Sequence, residues 1–168
     1  MNYFSSPKSR VIIITTTIFL IIIFGVVFIM IWDGQKMGWP AWYVVLFLFI
    51  GLQSVLIPFL CYLYAPIGYI ITQDTIVIKR PLKNNISIPT AKVKRVWCDP
   101  DAFKGTIRAC GNGGLFGSVG WFYSKALGDF RAYITDMGKA VIIDAGERFV
   151  ISPDDPDRFM AALNKKIA

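Results

Sequence analysis

The chain has 168 residues, a formal net charge of +7 and 55% hydrophobic residues, where an average soluble domain holds roughly 45–50%. It has no histidine, which excludes Ser-His and Cys-His nucleophile systems and removes the commonest general base and metal ligand.

Residues 1–10 read as a short N-terminal tail carrying Lys8 and Arg10. Residues 11–31 hold no charged side chain, and sixteen of these 21 positions are Val, Ile, Leu or Phe. At about 1.5 Å per residue, a helix of that length covers about 30 Å, the thickness of a bilayer core. A cleaved signal peptide has a shorter apolar region and a small-residue cut site. Here the run ends in Phe-Ile-Met-Ile-Trp. A second uncharged run, residues 42–64, is interrupted only by Gln53, Ser54 and Pro58. Residues 32–41 are expected as an extracytoplasmic turn, so the two runs predict a transmembrane hairpin. Lys8 and Arg10 precede it and Lys79, Arg80 and Lys83 follow it, whereas the turn has only Lys36 beside Asp33. That bias predicts that both termini are cytoplasmic in a cell membrane. Trp32, Trp39, Trp42 and Tyr43 are expected as outer interfacial anchors, and Tyr62, Tyr64 and Tyr69 as inner ones.

Neither span contains Asp, Glu, Lys or Arg, which argues against a pump or transporter. Thr15, Thr16 and Thr17 are expected to bond their own helix, and Gln53 to join the helices. Cys61 lies in the second span. Cys98 and Cys110 are too few for a disulfide scaffold and read as reduced thiols.

From residue 65 onward the composition changes: 15 of the 18 Lys and Arg and 10 of the 11 Asp and Glu lie here. Short β-rich runs alternate with turn chemistry. Strands are predicted at 68–72, 75–80, 85–88, 93–99, 105–109, 120–123, 130–136, 140–144 and 148–151. Asp155 is then an N-cap with Pro156 at the first helical position. Phe159, Met160, Leu163 and Ile167 fall on one helical face, with Lys165 and Lys166 in the last turn. The expected fold is α+β, mainly β: two transmembrane helices, then an antiparallel barrel or sandwich over residues 65–168, capped by a C-terminal helix.

The stretches ISIPTAKVKRV, the glycine-rich CGNGGLFGSVGWF, FRAYITD and VIIDAGERFVISPDDPDRFMAAL resemble the bacterial pleckstrin-homology-like family of membrane-anchored domains over residues 65–164. The ISPDDPDRF element and the glycine-rich turn are the most specific parts. The resemblance implies a PH-like barrel; it carries over no lipid-specific motif.

The glycine-rich stretch fails as a phosphate loop. From Gly111 the sixth position is Phe116, and no Gly-Lys-Ser/Thr closes it. It is expected to bend the chain between strands and to present Leu115, Phe116 and Trp121 as an interaction loop. Asp99, Asp101, Asp154, Asp155 and Asp157 sit beside prolines, the setting of turns and caps rather than of catalysis or metal binding. A Cys98–Cys110 pair lacks further zinc ligands, and no catalytic residue, metal or cofactor is expected. Lys79, Arg80, Lys83, Lys92, Lys94 and Arg95 lie within seventeen positions with no acid among them. They are the candidate contact with the anionic inner leaflet. Nucleic acid is not an expected partner, since no groove-reading element is visible. The predicted function is a non-enzymatic interaction or assembly module at the inner membrane surface, binding lipid, a partner protein or its own copies. The alternatives are an accessory subunit of a larger membrane complex and an enzyme acting on a lipid or envelope precursor.

Overall fold

The computed structural model describes residues 2–38 and 40–167. Helix α1 spans Arg10–Met37 and helix α2 spans Ala41–Tyr64. Both are long and apolar enough to cross a membrane. The Ser9 side chain accepts from the Val11 N–H and opens α1, and Gly38 in the left-handed region closes it. The helix therefore continues well past residue 31, and most of the expected ten-residue turn is helical. Hydropathy marks where apolar side chains end, whereas backbone hydrogen bonding runs on until a residue can leave the helix. Trp39 and the side chain of Lys36 lie outside the described residues. Residues 65 and 66 end α2, where Ala65 turns extended and its N–H still reaches the Cys61 and Tyr62 carbonyls.

A four-stranded sheet follows in the order β1-β2-β3-β4: Asn2–Ser5, Gly68–Ile71, Thr75–Lys79 and Ile86–Pro89. The first of these was expected as tail. Instead Asn2 to Ser5 pair antiparallel with Ile71 to Gly68, and Phe4 is buried with its ring edge-on to Phe159 at 5.1 Å. Because β1 precedes α1 and β2 follows α2, the N-terminus and the β-domain lie at the same end of the helical hairpin.

The second sheet has β5 (Arg95–Cys98), β6 (Ile107–Gly113), β7 (Ser118–Ser124), β8 (Gly128–Ile134), β9 (Val141–Asp144) and β10 (Arg148–Ile151), in the order β5-β9-β10-β8-β7-β6. Strand β9 crosses over and leaves a gap that β10 fills, so β10 runs parallel to β8. This one pair departs from the expected all-antiparallel pattern. Both faces of the sheet are covered. One packs against the first sheet and against helix α3 (Pro156–Ile167) through Tyr133, Ile143, Phe149, Ile151, Phe159 and Leu163. The other packs under the 99–106 loop through Phe122, Phe130, Ile142 and Val150, with Phe103 edge-on to both phenylalanines. Burial on two faces explains why VII and FVI are continuous apolar runs and not alternating ones. The Asp155 carboxylate accepts from the Arg158 N–H and caps α3 as expected.

Tyr69 is fully buried and so is a core residue, not the interfacial anchor its position after the span suggested. Its hydroxyl donates to the Tyr133 carbonyl at 2.7 Å, accepts from the Ser152 N–H at 3.1 Å and touches the Ser6 hydroxyl at 3.1 Å. Thr135 extends the cluster by bonding the Pro7 carbonyl and the Ser6 hydroxyl, while its own carbonyl accepts from the Ser9 N–H. Burial pushes the Tyr69 phenol above its ordinary range. Tyr69→Phe leaves a buried N–H and a buried carbonyl short of a partner, each worth about 1–3 kcal/mol. We expect this variant of the full chain to unfold about 2–4 kcal/mol more easily in detergent, measured by chemical denaturation. An unchanged midpoint would show that the hydroxyl is not a structural tie.

Candidate functional site

The residues singled out in the sequence converge, in part, on the foot of the helical hairpin. Strands β3 and β4 join through a turn that brings Arg80 and Lys83 to the end of α2. The Arg80 guanidinium stands 5.7 Å from the Tyr64 ring centre and the Lys83 ammonium 4.8 Å from it. Such a stack holds a cation against an aromatic face. Arg80 also closes its own turn by donating from Nε to the Asn84 carbonyl at 2.9 Å. Between these cations Leu82 is 78% exposed. Lys79 ends β3 beside them, opposite Gly68.

Lys92, Lys94 and Arg95 do not join this group. Pro89 pairs with Thr75, four residues from Lys79, so the 3₁₀ turn Thr90–Lys92 starts at the other end of β3, about 13 Å away at about 3.3 Å per residue. Arg95 stacks over Trp97 at 5.1 Å. Lys94 lines an open cleft of about 440 Å³ with Trp121, Asp129, Asp144, Glu147 and Arg148. That cleft mixes charges of both signs, and its Arg148 already donates to the Leu127 carbonyl. Lys79, Arg80 and Lys83 thus stand apart from Lys92, Lys94 and Arg95.

The glycine-rich stretch bends the chain between strands as expected, but only residues 114–117 make the bend. It forms the ends of β6 and β7 and the tip that joins them. Gly111 and Gly120 face each other across the pair with φ of 119° and 137°. A Cβ on Gly111 would lie 2.2 Å from the Val119 carbonyl oxygen, and one on Gly120 would lie 2.2 Å from that of Cys110. The glycines let two backbones cross at a distance that no side chain allows.

At the tip, Phe116 folds against the helix feet, and Leu115 beside it is half-buried. The Phe116 ring meets Tyr62 edge-on at 5.6 Å, and the Lys8 ammonium stands 5.6 Å from Phe116 and 5.8 Å from Tyr62. The Phe116 N–H donates to the Thr16 hydroxyl in α1 at 3.3 Å. Thr16 therefore serves the loop, where a bond within its own helix was expected; Thr15 does bond back, to the Val11 carbonyl. Phe116 has a φ of 58°, which costs a bulky residue on the order of 1–3 kcal/mol unless its surroundings hold it. Trp121 lies further along β7, with the Arg131 guanidinium 4.3 Å from its ring and Glu147 closing an ion pair to Arg131 at 3.3 Å. The expected three-residue loop is thus two residues at the tip and one on the strand.

Sequence reasoning missed the partnership of Lys8, Thr16 and Tyr62 with the loop. No local pattern relates positions 16 and 116. The carboxylates behave as turn and cap groups: Asp99 accepts from the Asp101 N–H, Asp136 from the Gly138 N–H. Among the described residues no three His, Cys, Asp or Glu gather as a metal site. Burial, with Asp157 and Asp99 adding to it, raises the Cys98 thiol above its usual range, which disfavours the nucleophilic thiolate.

The Bacterial PH domain family model matches residues 67–167. The chain belongs to the bacterial PH domain family. No curated protein and no solved structure matches it. In this bacterial PH domain, β1 and both apolar helices lie outside the matched region, so the first sheet takes its edge strand from ahead of the family segment. PH domains are generally non-catalytic interaction modules. The crossing of β6 and β7 makes a separable demand on this one. Gly120→Ala should destabilise the full chain by at least about 2 kcal/mol, from backbone strain and overpacking together. Gly114→Ala, whose Cβ meets nothing within 4 Å, should cost less. Equal midpoints for the two variants in a thermal melt would remove the close approach as the reason for these glycines.

Proposed function

We propose that this chain is a non-enzymatic, two-span membrane protein whose PH domain is held at the cytoplasmic surface as an interaction module, with both termini cytoplasmic. The observation that carries the reading is the placement of Arg80 and Lys83 against Tyr64, at the point where α2 enters the domain. Cations stacked on an aromatic ring at a helix foot suit contact with anionic headgroups, each worth about 1 kcal/mol. Lys8, Arg10 and Lys79 add to the charge at this end, and Asp33 is near the other, consistent with a positive-inside orientation. Lys92, Lys94 and Arg95 stand apart and are assigned no lipid contact.

A second reading, a protein partner or a second copy on the domain, is favoured by one feature. Strand β6 is a sheet edge, and beside it Ile107 is 68% and Tyr123 45% exposed. The two readings are compatible, because Ile107 and Tyr123 pair at the end of β6 remote from the tip that touches the helices.

Reporter fusions after Ala168 should read cytoplasm, and an insertion at Gly38 should read the opposite side; a translocated C-terminus overturns the orientation. Native mass spectrometry of the detergent-solubilised chain should find phosphatidylglycerol retained over phosphatidylcholine. Changing Lys79, Arg80 and Lys83 together to Gln should reduce that preference by about 1 kcal/mol per charge removed. Equal retention of the two lipids by the unaltered chain would end the electrostatic reading, and a second copy in the same spectra would support self-association.

A further inference from the structure

The β6–β7 tip reaches further along the helices than the rest of the domain. Thr16 lies six residues into α1 from Arg10, about 9 Å along the axis at about 1.5 Å per residue. It is nonetheless 6% exposed, as is Ile12 one turn below it, while Ile13, Ile14 and Ile18 on the remaining faces are at least half exposed. The tip meets this side of α1 through the Phe116–Thr16 bond and reaches Tyr62 of α2, at a level where the helices carry no charged side chain.

We propose that this tip is a membrane wedge: Leu115 and Phe116 are immersed at the headgroup-to-acyl boundary of the leaflet that the domain faces, sealed against α1 and α2. The inference rests on the two-span reading above. Three features fit lipid rather than water. The first is charge: residues 109–124 contain no Asp, Glu, Lys or Arg, although the hairpin projects from a domain with charges elsewhere. The second is that protein groups take up several of the tip's backbone donors and acceptors. The Asn112 side-chain amide donates to the Leu115 and Gly117 carbonyls, the Gly114 N–H to the Gly117 carbonyl, and the Phe116 N–H to Thr16. Irregular backbone at membrane depth is tolerated where protein groups take the place of water. The third is the collar. Lys8 stands over the Phe116 and Tyr62 rings, and the Arg108 side chain lies along Gly113. Long cationic side chains there can reach headgroup phosphates while their stems stay on apolar surface. Lipid is the occupant because the tip is continuous with the two apolar helices it packs on.

The test uses the full chain with Cys61, Cys98 and Cys110 changed to Ala, carrying one spin label in vesicles of phosphatidylethanolamine and phosphatidylglycerol. Labels are placed at Leu115→Cys, at Ile22→Cys in the middle of α1, and at Lys125→Cys in the turn after β7. Collisions with oxygen, which enters lipid, are compared with collisions with a water-soluble nickel chelate. The oxygen-to-nickel ratio at position 115 should exceed that at 125 several-fold and approach that at 22. A ratio at 115 equal to that at 125, with 22 reading lipid, overturns the wedge and leaves the spans standing. A label at 115 shielded from both reagents also overturns it, since protein then covers the tip. If position 22 itself reads water, the two-span reading fails and takes the wedge with it.

Discussion

The hydroxyl of Tyr69 sits where three parts of the chain meet, and most of the architecture depends on what it holds. It bonds the end of β8 through Tyr133, the start of the segment leading to α3 through Ser152, and the segment ahead of α1 through Ser6. A phenol is well suited to this position. Its ring fills the core beside Phe159 at 6.4 Å, and its one oxygen both donates and accepts. In a water-excluded setting each of these bonds is stronger, and each orphaned partner more costly, than at a surface. The Thr135 hydroxyl carries the tie on to Pro7, and its carbonyl to Ser9, the residue that caps α1. The first helix is therefore positioned by the core of the β-domain before it makes its first turn.

The second helix is attached by different means. It continues into the domain through residues 65–67, where Ala65 is buried and the Ile67 N–H joins the Lys79 carbonyl. With one helix tied through a polar cluster and the other through continuous backbone, the hairpin has two fixed points on the domain. The Phe116 contact with Thr16 and Tyr62 makes a third. Three points fix an orientation, whereas a single linker fixes only a distance. The basic turn of Arg80 and Lys83 acquires its place from this arrangement, since nothing in β3 or β4 alone would direct it toward the helix foot.

Much of this was legible in the sequence, for reasons that differ by element. The two helices announced themselves by hydropathy, and α3 by its Asp155 cap and four apolar residues at helical spacing. Strands β2, β3, β9 and β10 were legible because β-branched runs were bounded by turn residues. Strand β1 was not. Four residues are too few to show a period, and their partners lie 63 to 69 positions away. The glycine-rich stretch was legible as a bend, but the reach of β6 and β7 into it was not, because glycine weakens an isolated strand. Only the pairing of Gly111 with Gly120 reveals that two strands need it at one crossing. At the candidate site, the charges could be counted but not grouped. Lys79 and Lys92 are close in sequence, yet β4 carries the chain back along the sheet and separates them.

Strand β1 also bears on how the molecule is made. Its pairing with β2 closes a segment of more than sixty residues, which in a flexible chain would carry a loop-closure penalty that grows with length. Here the intervening residues are two antiparallel helices, whose own ends already lie side by side. Once the two helices stand side by side, residues 5 and 68 are neighbours, and the remaining closure is that of a short loop. During synthesis residues 2–5 wait, unpaired, until α2 and the strand beyond it have been made. Strand β1 is thus completed only after both helices have been made, and its pairing reports that the two helix feet have come together.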